Sequence, residues 1–197
     1  MAIQTILDDK TLAISEVCEA VAEGRIAHAA ETLRDRYAFT PDPIIRRNCG
    51  PALAIQVFVR DGFIDRYSGS RLVFPPVLRV LSLVMPDEFP YHPNWKTDVT
   101  HRAYWEIGAT IDHLVPVARG GTNSKANLVT TSMALSSAKM NWSLEELGWK
   151  LHSPGSSADW DGLLHWFLCY ATRVPTVLSN NSVRQWHRAA VKAVESL

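Results

Sequence analysis

The stretch from Thr110 to Lys139, TIDHLVPVARGGTNSKANLVTTSMALSSAK, decides how the rest of the chain is interpreted. Its Asp112-His113 pair ends an apolar run that is typical of a β-strand. A Gly-Gly loop follows, and then a second short apolar strand begins around Leu128. A Ser- and Ala-rich run that ends at Lys139 has the composition of a helix. The stretch therefore predicts two strands followed by a helix.

The side chains at the end of the first strand suit the hydrolysis of a phosphodiester. This reaction requires a base for the attacking water and a counter-charge for the phosphate. Asp112 offers the hard oxygen that Mg²⁺ prefers, and His113 offers a base. Adjacent strand residues point to opposite faces, so we expect the strand to end and bend here. Ser136 and Lys139 share one helix face, and Lys139 could hold a phosphate as a point charge.

The whole pattern DHLVPxxxGGxNxxxNLVT, followed by Lys139, resembles the HNH endonucleases, the ββα-metal nucleases, in their zinc-free bacterial type. The resemblance covers about residues 60–150. It implies an α+β fold, in which a ββα-metal core is embedded in a mainly helical chain with N- and C-terminal helices. It also implies that His113 is the general base, that Asp112 is a metal ligand, and that Asn127 pins the loop between the strands as part of the catalytic set.

The resemblance implies a metal-dependent endonuclease that cleaves nucleic acid and leaves a 5′-phosphate and a 3′-hydroxyl. DNA is expected as the substrate more than RNA. The expected cofactor is one divalent metal, Mg²⁺ first, with Mn²⁺ or Ni²⁺ as alternatives. The family's last metal-binding Asn or His falls on Ser136, whose shorter hydroxyl would often bind through water. Asn141 lies five residues further, about 140° around a helix, and does not look like a substitute. A catalytically impaired protein of the same fold, acting as a nucleic-acid-binding or protein-interaction module, therefore stays open.

Zinc-bearing relatives carry two CxxC pairs, and this chain has cysteine at neither pair. The first pair falls on Asp65 and Ser68, and the second falls on Ser132 and Leu135. The sequence therefore predicts no structural zinc, and we expect packing and hydrogen bonds to hold the turn around Asp65.

Composition limits the kinds of partner. The chain of 197 residues is 47% hydrophobic and has zero formal net charge, so contact with nucleic acid must come from a local patch. Arg119, beside the Gly-Gly loop, could reach a phosphate or could be an ordinary loop arginine. Other arginines could grip phosphates or pair with nearby aspartates such as Asp61, Asp65 and Asp87. A homo-oligomer is not indicated, although it stays open.

Three dispersed cysteines suit a reducing compartment, and no apolar run approaches the ~20 residues needed to cross a bilayer. We therefore expect a cytoplasmic protein with no membrane contact.

The remaining patterns divide the chain into an N-terminal helical segment (1–43), a nuclease domain (44–152, core motif 104–142) and a C-terminal helical segment (153–197). Residues 11–36 predict two helices broken near Gly24. The segment IQVFVRDGFID and the following RYSGSRLVF predict a strand, a turn and a strand. Further helices are predicted at Val77–Met85, after the capping box of Ser143 and Glu146, in LLHWFLCYA, and from about Ser182.

Overall fold

A computed structural model describes residues 2–39 and 49–195 of the chain. The elements in these two ranges are α1 Ala2–Ala22, α2 Ile26–Arg36, α3 Pro51–Arg60, α4 Pro75–Val84, α5 Ala103–Glu106, β1 Ala109–His113, β2 Leu128–Ser132, α6 Met133–Lys139, α7 Leu144–Leu147, α8 Leu164–Arg173 and α9 Asn181–Val194. Short 3-10 helices occupy Val117–Arg119, Lys125–Asn127 and Pro175–Ser179. Helices thus accompany one antiparallel two-stranded sheet in the part of the chain described, which is compatible with an α+β fold.

The two strands and the helix predicted from the central stretch are confirmed. Strands β1 and β2 pair antiparallel, with Ala109 opposite Ser132 and His113 opposite Leu128. Helix α6 follows β2 without a loop, because the Ser132 hydroxyl accepts a hydrogen bond from the Leu135 backbone N–H and caps the helix. The last residues of β1 therefore lie beside the first turns of α6.

The loop between the strands depends on its two glycines. Gly120 has a φ of +84°, a left-handed conformation that ends the 3-10 helix Val117–Arg119. A Cβ on Gly121 would lie 1.8 Å from the carbonyl oxygen of Val115, so no larger residue fits this close approach. The loop can therefore fold back tightly over the end of β1.

The main core lies between the region of the sheet and the C-terminal helices. Large aromatic rings fill it, and Phe74 makes edge contacts with Phe63, Phe167 and Trp186 at centroid distances of 6.1, 5.4 and 5.5 Å. Apolar residues of α3, α4, α8 and α9 join these rings in one buried cluster. The C-terminal helices therefore share an apolar core with the segments that precede the sheet.

The strand predicted within IQVFVRDGFID is wrong, because most of that segment belongs to helix α3 (Pro51–Arg60). Pro51 occupies the first turn of this helix, where its missing N–H costs little. Ala54, Ile55 and Phe58 are buried and recur at helical spacing, although the β-branched Ile55, Val57 and Val59 also favour a strand. Beyond the helix, the predicted hairpin is reduced to one isolated bridge between Ile64 and Arg71.

The other predicted helices are confirmed. The break between the first two falls at Gly24, whose φ is +74°, and α1 begins earlier than predicted, at Ala2. Helix α4 spans Pro75–Val84, and the capping box of Ser143 and Glu146 opens α7. The linker and domain boundary expected near residue 43 lie outside the described residues. Within those residues, no helix combines the length and apolar character that spanning a membrane requires.

Candidate active site

Asp112, the next-to-last residue of β1, has three hydrogen-bonding or ionic partners. The Tyr67 hydroxyl donates to its Oδ2 at 2.6 Å, and the Lys139 ammonium lies 3.2 Å from the same oxygen. The Ser136 hydroxyl donates to Oδ1 at 3.3 Å. The carboxylate is thus held between β1, the turn after α3 and helix α6, and its position is fixed before any ligand binds.

Lys139 is 0% exposed, and its ammonium group also donates to the His113 carbonyl oxygen at 2.7 Å. A buried ammonium is stable only when it is paired and hydrogen-bonded, and both conditions are met here. The phosphate contact expected of Lys139 does not fit this placement, because the charged group lies below the surface and already has partners. Ser136 and Lys139 do share one helix face, as predicted, and both contact Asp112.

Tyr67 is a buried member of the same network. Burial, and then the neighbouring charge of Asp112, raise the pKa of the Tyr67 phenol well above its ordinary value. The ring of Tyr67 also contacts Trp149 at a centroid distance of 5.5 Å. The phenol therefore remains a hydrogen-bond donor to Asp112 throughout the physiological pH range.

His113 is the last residue of β1 and is 7% exposed. Its Nε2 lies 2.8 Å from the Oδ1 of Asn123 in the loop. Because an amide oxygen only accepts hydrogen bonds, Nε2 is the donor in this contact, and a neutral ring donating in this way would have its lone pair on Nδ1. A neutral imidazole in this tautomer is able to act as a base through Nδ1.

Asn127 bridges the loop in the way that the sequence predicts. Its Oδ1 accepts from the Val115 backbone N–H at 2.8 Å, and its Nδ2 donates to the carbonyl oxygens of Val115 and Thr122 at 3.1 and 2.9 Å. These hydrogen bonds join both sides of the loop. They fix the backbone that carries Asn123 and thus support the orientation of the His113 ring.

A cavity of about 420 Å³ opens between the end of β1 and helix α6. Asp112, His113 and Ser136 all line it, so the structure brings these three predicted residues together. Asn141 also lines this cavity, which corrects the prediction from helical geometry. Helix α6 ends at Lys139, and Met140 has a φ of +51°, so the chain turns and Asn141 does not continue the helical rotation.

Arg119 lies near the loop glycines but has an acidic partner. Its guanidinium is 2.6 Å from Glu146 and 5.9 Å from the centre of the Trp142 ring. Burial alone would raise the pKa of Glu146, but hydrogen bonds from the Ser143 backbone and from Arg119 outweigh it and lower that pKa. The ion pair with Glu146 therefore holds Arg119 beside helix α7, and the Arg119 side chain remains partly exposed.

Asp65 joins two segments of the chain, the turn after α3 and the end of β2. Its Oδ2 accepts from the Ser132 backbone N–H at 2.8 Å, and its Oδ1 accepts from the Thr131 hydroxyl at 3.0 Å. Nearby, the buried carboxylate of Asp61 pairs with Arg60 and Arg66 at 2.9 Å each. For these two arginines the ion-pair interpretation is confirmed, and hydrogen bonds hold the turn to β2 as expected.

Asp112, Ser136 and Asn141 are the residues of this cavity whose side-chain oxygens could hold one hard divalent cation. Asp112 Oδ1 and Ser136 Oγ are 3.3 Å apart, close to the ~3 Å that separates neighbouring ligands of an octahedral ion with metal–oxygen distances of about 2.1 Å. The Asn141 side chain offers a further amide oxygen at the same cavity. No cluster of three or more His, Cys, Asp or Glu side chains suited to a metal occurs within residues 2–39 and 49–195. The set thus contains one carboxylate and would leave several positions to water.

Tyr67, Asn123 and Asn141 were missed as contributors to this site. Asn123 belongs to the quoted pattern, but nothing in its spacing indicates a contact with His113. Tyr67 lies far from the motif in sequence and carries no local signal.

Comparison of the chain with protein-family models, curated proteins and solved structures gives no match. The function is therefore inferred from the residues and geometry of this cavity.

Proposed function

We propose that this chain is a metal-dependent endonuclease of the HNH type, with a ββα-metal core, that hydrolyses phosphodiester bonds of DNA. One observation carries the proposal. The order β1, β2, α6 places Asp112, His113 and Ser136 around a single open cavity. A carboxylate, a neutral imidazole and a second oxygen ligand are the groups that metal-assisted attack of water on a phosphodiester requires.

Asp112 and Ser136 would hold the divalent cation, preferably Mg²⁺. Asn141 offers a further side-chain oxygen in the cavity lining. When bound, the cation would supply counter-charge to the phosphate and to the leaving oxygen. Tyr67 and Lys139 keep the Asp112 carboxylate in place from its opposite oxygen. The ligand side chains are therefore oriented in advance.

His113 takes the proton from the attacking water through Nδ1. Asn123 holds the other ring nitrogen, and Lys139 holds the backbone carbonyl of His113, so both the ring and its strand end are fixed. Attack of the water oxygen on phosphorus breaks the bond to the 3′ oxygen, which leaves as an alkoxide and takes a proton from solvent water. The products are a 5′-phosphate and a 3′-hydroxyl.

Nicking of a supercoiled plasmid in Mg²⁺, Mn²⁺ or Ni²⁺ tests this proposal. The wild type is expected to cut only with metal, and His113→Ala is expected to lose most of that cutting. His165→Ala, which alters an exposed histidine on α8, is the matched control and should cut normally. The enzyme proposal is wrong if wild type and His113→Ala behave alike and neither shows metal-dependent cutting.

Ser136→Asn tests the ligand position itself. The longer amide should move metal-dependent cutting to lower metal concentrations, because it can reach the cation without a bridging water. Ser137→Asn is the control, since Ser137 lines the same cavity but has no bond to Asp112 among the described residues. If the metal dependence of Ser136→Asn matches that of the wild type, Ser136 is not a ligand.

One observation favours a second candidate, a non-catalytic nucleic-acid-binding or protein-interaction module of the same fold. The Asp112 carboxylate already has the Lys139 ammonium at 3.2 Å, which offsets its charge and weakens its attraction for a cation. This candidate predicts binding of DNA or of a protein partner with no cutting in any of the three metals. The plasmid assay combined with a gel-shift measurement separates the two functions.

A further inference from the structure

A second cavity, of about 260 Å³, lies beside the candidate active site. Met133, the first residue of α6, lines both cavities. Thr110 lines the second cavity and lies two residues before Asp112 on β1, so the two side chains lie on the same strand face, roughly 7 Å apart. A group bound in the second cavity would thus be close to a phosphodiester at Asp112.

The walls of this cavity are largely aromatic, with Tyr91, Trp95, Tyr104 and Trp186 among the lining residues. The ring of Tyr104 contacts those of Tyr91 and Trp95 at centroid distances of 5.2 and 5.6 Å. On the opposite side, Trp186 is held against Phe74 of the core. Because these rings support one another, the cavity presents flat and rigid apolar surfaces.

Polar groups accompany the aromatic walls. The Arg79 guanidinium lies 4.0 Å from the centre of the Tyr91 ring and also lines the cavity. In the portion of the chain described, Arg79 has no carboxylate within ion-pair distance, in contrast to Arg60, Arg66 and Arg119. Its charge is therefore not neutralised by a carboxylate among the described residues, and the hydroxyls of Thr110 and Ser182 add donors and acceptors.

We propose that this cavity binds one unpaired nucleobase of the DNA strand whose backbone lies at Asp112. The inference rests on the proposed function for the position of the strand. Bases stack on aromatic rings and on arginine planes, and stacking contributes about 1–3 kcal/mol per base. The roughly 7 Å from Thr110 to Asp112 corresponds to about two rises of 3.4 Å, so the bound base belongs within a nucleotide or two of the cut.

This placement defines the substrate class. A base in duplex DNA is paired and stacked, and it would have to flip out of the helix to enter the cavity, at a cost of a few kcal/mol. Single-stranded DNA, or duplex with an unpaired nucleotide at the cut, offers the base without that cost. The preferred substrate is therefore single-stranded or locally unpaired DNA.

Binding measurements in a His113→Ala background test the inference without cutting. The probes are a fluorescein-labelled single-stranded oligonucleotide and a blunt duplex of the same sequence, both in Mg²⁺. Ser182→Phe adds a ring at an exposed position that lines the cavity. Gln185→Phe adds the same ring to α9 outside the cavity and is the matched control. Ser182→Phe should weaken binding of the single strand about tenfold and leave duplex binding unchanged. Gln185→Phe should leave both affinities unchanged.

A second pair of variants keeps the test decisive if Ser182→Phe fails to fold. In the same His113→Ala background, Tyr91→Phe keeps the stacking ring and should leave single-strand binding unchanged, whereas Tyr91→Ala should weaken it severalfold. A 2-aminopurine in the single strand should lose fluorescence on binding to the His113→Ala protein, because stacking quenches it. That quenching should disappear in Tyr91→Ala.

The two proposals fail in different ways. If the His113→Ala protein binds duplex as tightly as single strand, or if Ser182→Phe and Tyr91→Ala in that background bind the single strand normally, the base cavity is wrong even when the wild type shows metal-dependent cutting. If the wild type cuts neither the plasmid nor the single strand with metal, but the His113→Ala protein binds single strands through the cavity, the nuclease proposal is wrong and the base site stands. Equal binding by all variants together with no cutting overturns both.

Discussion

At the level of single residues, the pair of Asp112 and Lys139 combines two charged groups that are usually found at the surface. Each is costly to bury alone, and each has additional hydrogen-bonding partners in this structure. Removing one member leaves the other without its counter-charge. The stability of the fold and the arrangement of the candidate site are therefore linked at these side chains.

Lys139→Met is expected to lower the free energy of unfolding by about 3–5 kcal/mol, because Asp112 would keep its charge without a cation beside it. Urea denaturation measures the loss. Lys150→Met, at an exposed lysine, is the control and should change stability by less than about 0.5 kcal/mol. Adding Asp112→Asn to Lys139→Met should recover part of the loss, and a loss below about 1 kcal/mol in the single variant would contradict the role given to this pair.

Tyr67→Phe is expected to change how stability depends on pH. The folded-state pKa of Tyr67 is raised above its unfolded value, so the folded protein keeps a proton that the unfolded chain releases above about pH 10. The contribution of Tyr67 is thus complete below pH 10 and is lost as the pH rises further, by about 1.4 kcal/mol per pH unit.

At neutral pH, Tyr67→Phe should be about 1–2 kcal/mol less stable than wild type because it lacks the hydrogen bond to Asp112. Between pH 10 and 11 the two stabilities should converge. Urea titrations at several pH values measure the free energy of unfolding of both proteins. If the difference between the two free energies stays constant from pH 10 to pH 11, the buried phenol does not cause the expected loss of stability.

At the level of elements, Asp65 attaches the turn after α3 to the end of β2. Its carboxylate accepts hydrogen bonds from the Ser132 backbone, the Thr131 hydroxyl and the Tyr67 backbone. Ser132 is also the N-cap of α6, so a single side chain connects the turn, the strand and the helix.

Asp65→Ala is therefore expected to destabilise the protein by at least about 3 kcal/mol, since it removes three hydrogen bonds to a carboxylate and such bonds contribute about 1.5–3 kcal/mol each. Chemical denaturation gives the total loss. Hydrogen exchange locates it, because the Ser132 amide should lose protection more than amides of α9. The exposed Asp87 provides the control, and Asp87→Ala should leave both quantities unchanged.

The same elements show how far the sequence alone predicts this structure. The β1, β2 and α6 arrangement was predictable because its strand ends, loop glycines and helix are adjacent in sequence. Helix α3 was not, because its β-branched residues favour a strand locally while burial against α9 selects a helix. The position of Asn141 at the cavity was not predictable either. Helix α6 stops at Lys139, so the rotation of about 100° per residue does not place Asn141.

Two features of the site arise from contacts between residues that are far apart in sequence. Tyr67 reaches Asp112 across 45 residues of chain, and no periodicity indicates such a pair. The burial of Lys139 follows from its bonds to Asp112 and to the His113 carbonyl, whereas its position at a helix end favours exposure. These features appear only once the strands and the helix are packed together.

At the level of the whole molecule, charge limits how nucleic acid can be held. The chain has 20 Lys and Arg and 20 Asp and Glu, and Arg60, Arg66 and Arg119 are paired with carboxylates. A broad electrostatic footprint is therefore not expected. Binding should instead depend on a few phosphates near the candidate site and on base stacking.

The affinity of the His113→Ala variant for a single-stranded oligonucleotide is accordingly expected to fall only gently with salt. Two or three phosphate contacts give a slope of roughly −2 in a plot of log affinity against log salt concentration. Fluorescence anisotropy at several NaCl concentrations gives the slope. A slope steeper than about −5 would instead indicate that a broad basic surface contacts the strand and would contradict this expectation.

Met133 connects the candidate active site with the aromatic cavity beside it. Among the described residues that line these cavities, Met133 is common to both, and it follows directly after β2 at the start of α6. If the aromatic cavity holds a base and the other cavity holds a phosphodiester, the width of this residue sets the number of bonds between the bound base and the bond that is broken. Under both proposals, the cuts would therefore fall at a constant distance from the unpaired nucleotide.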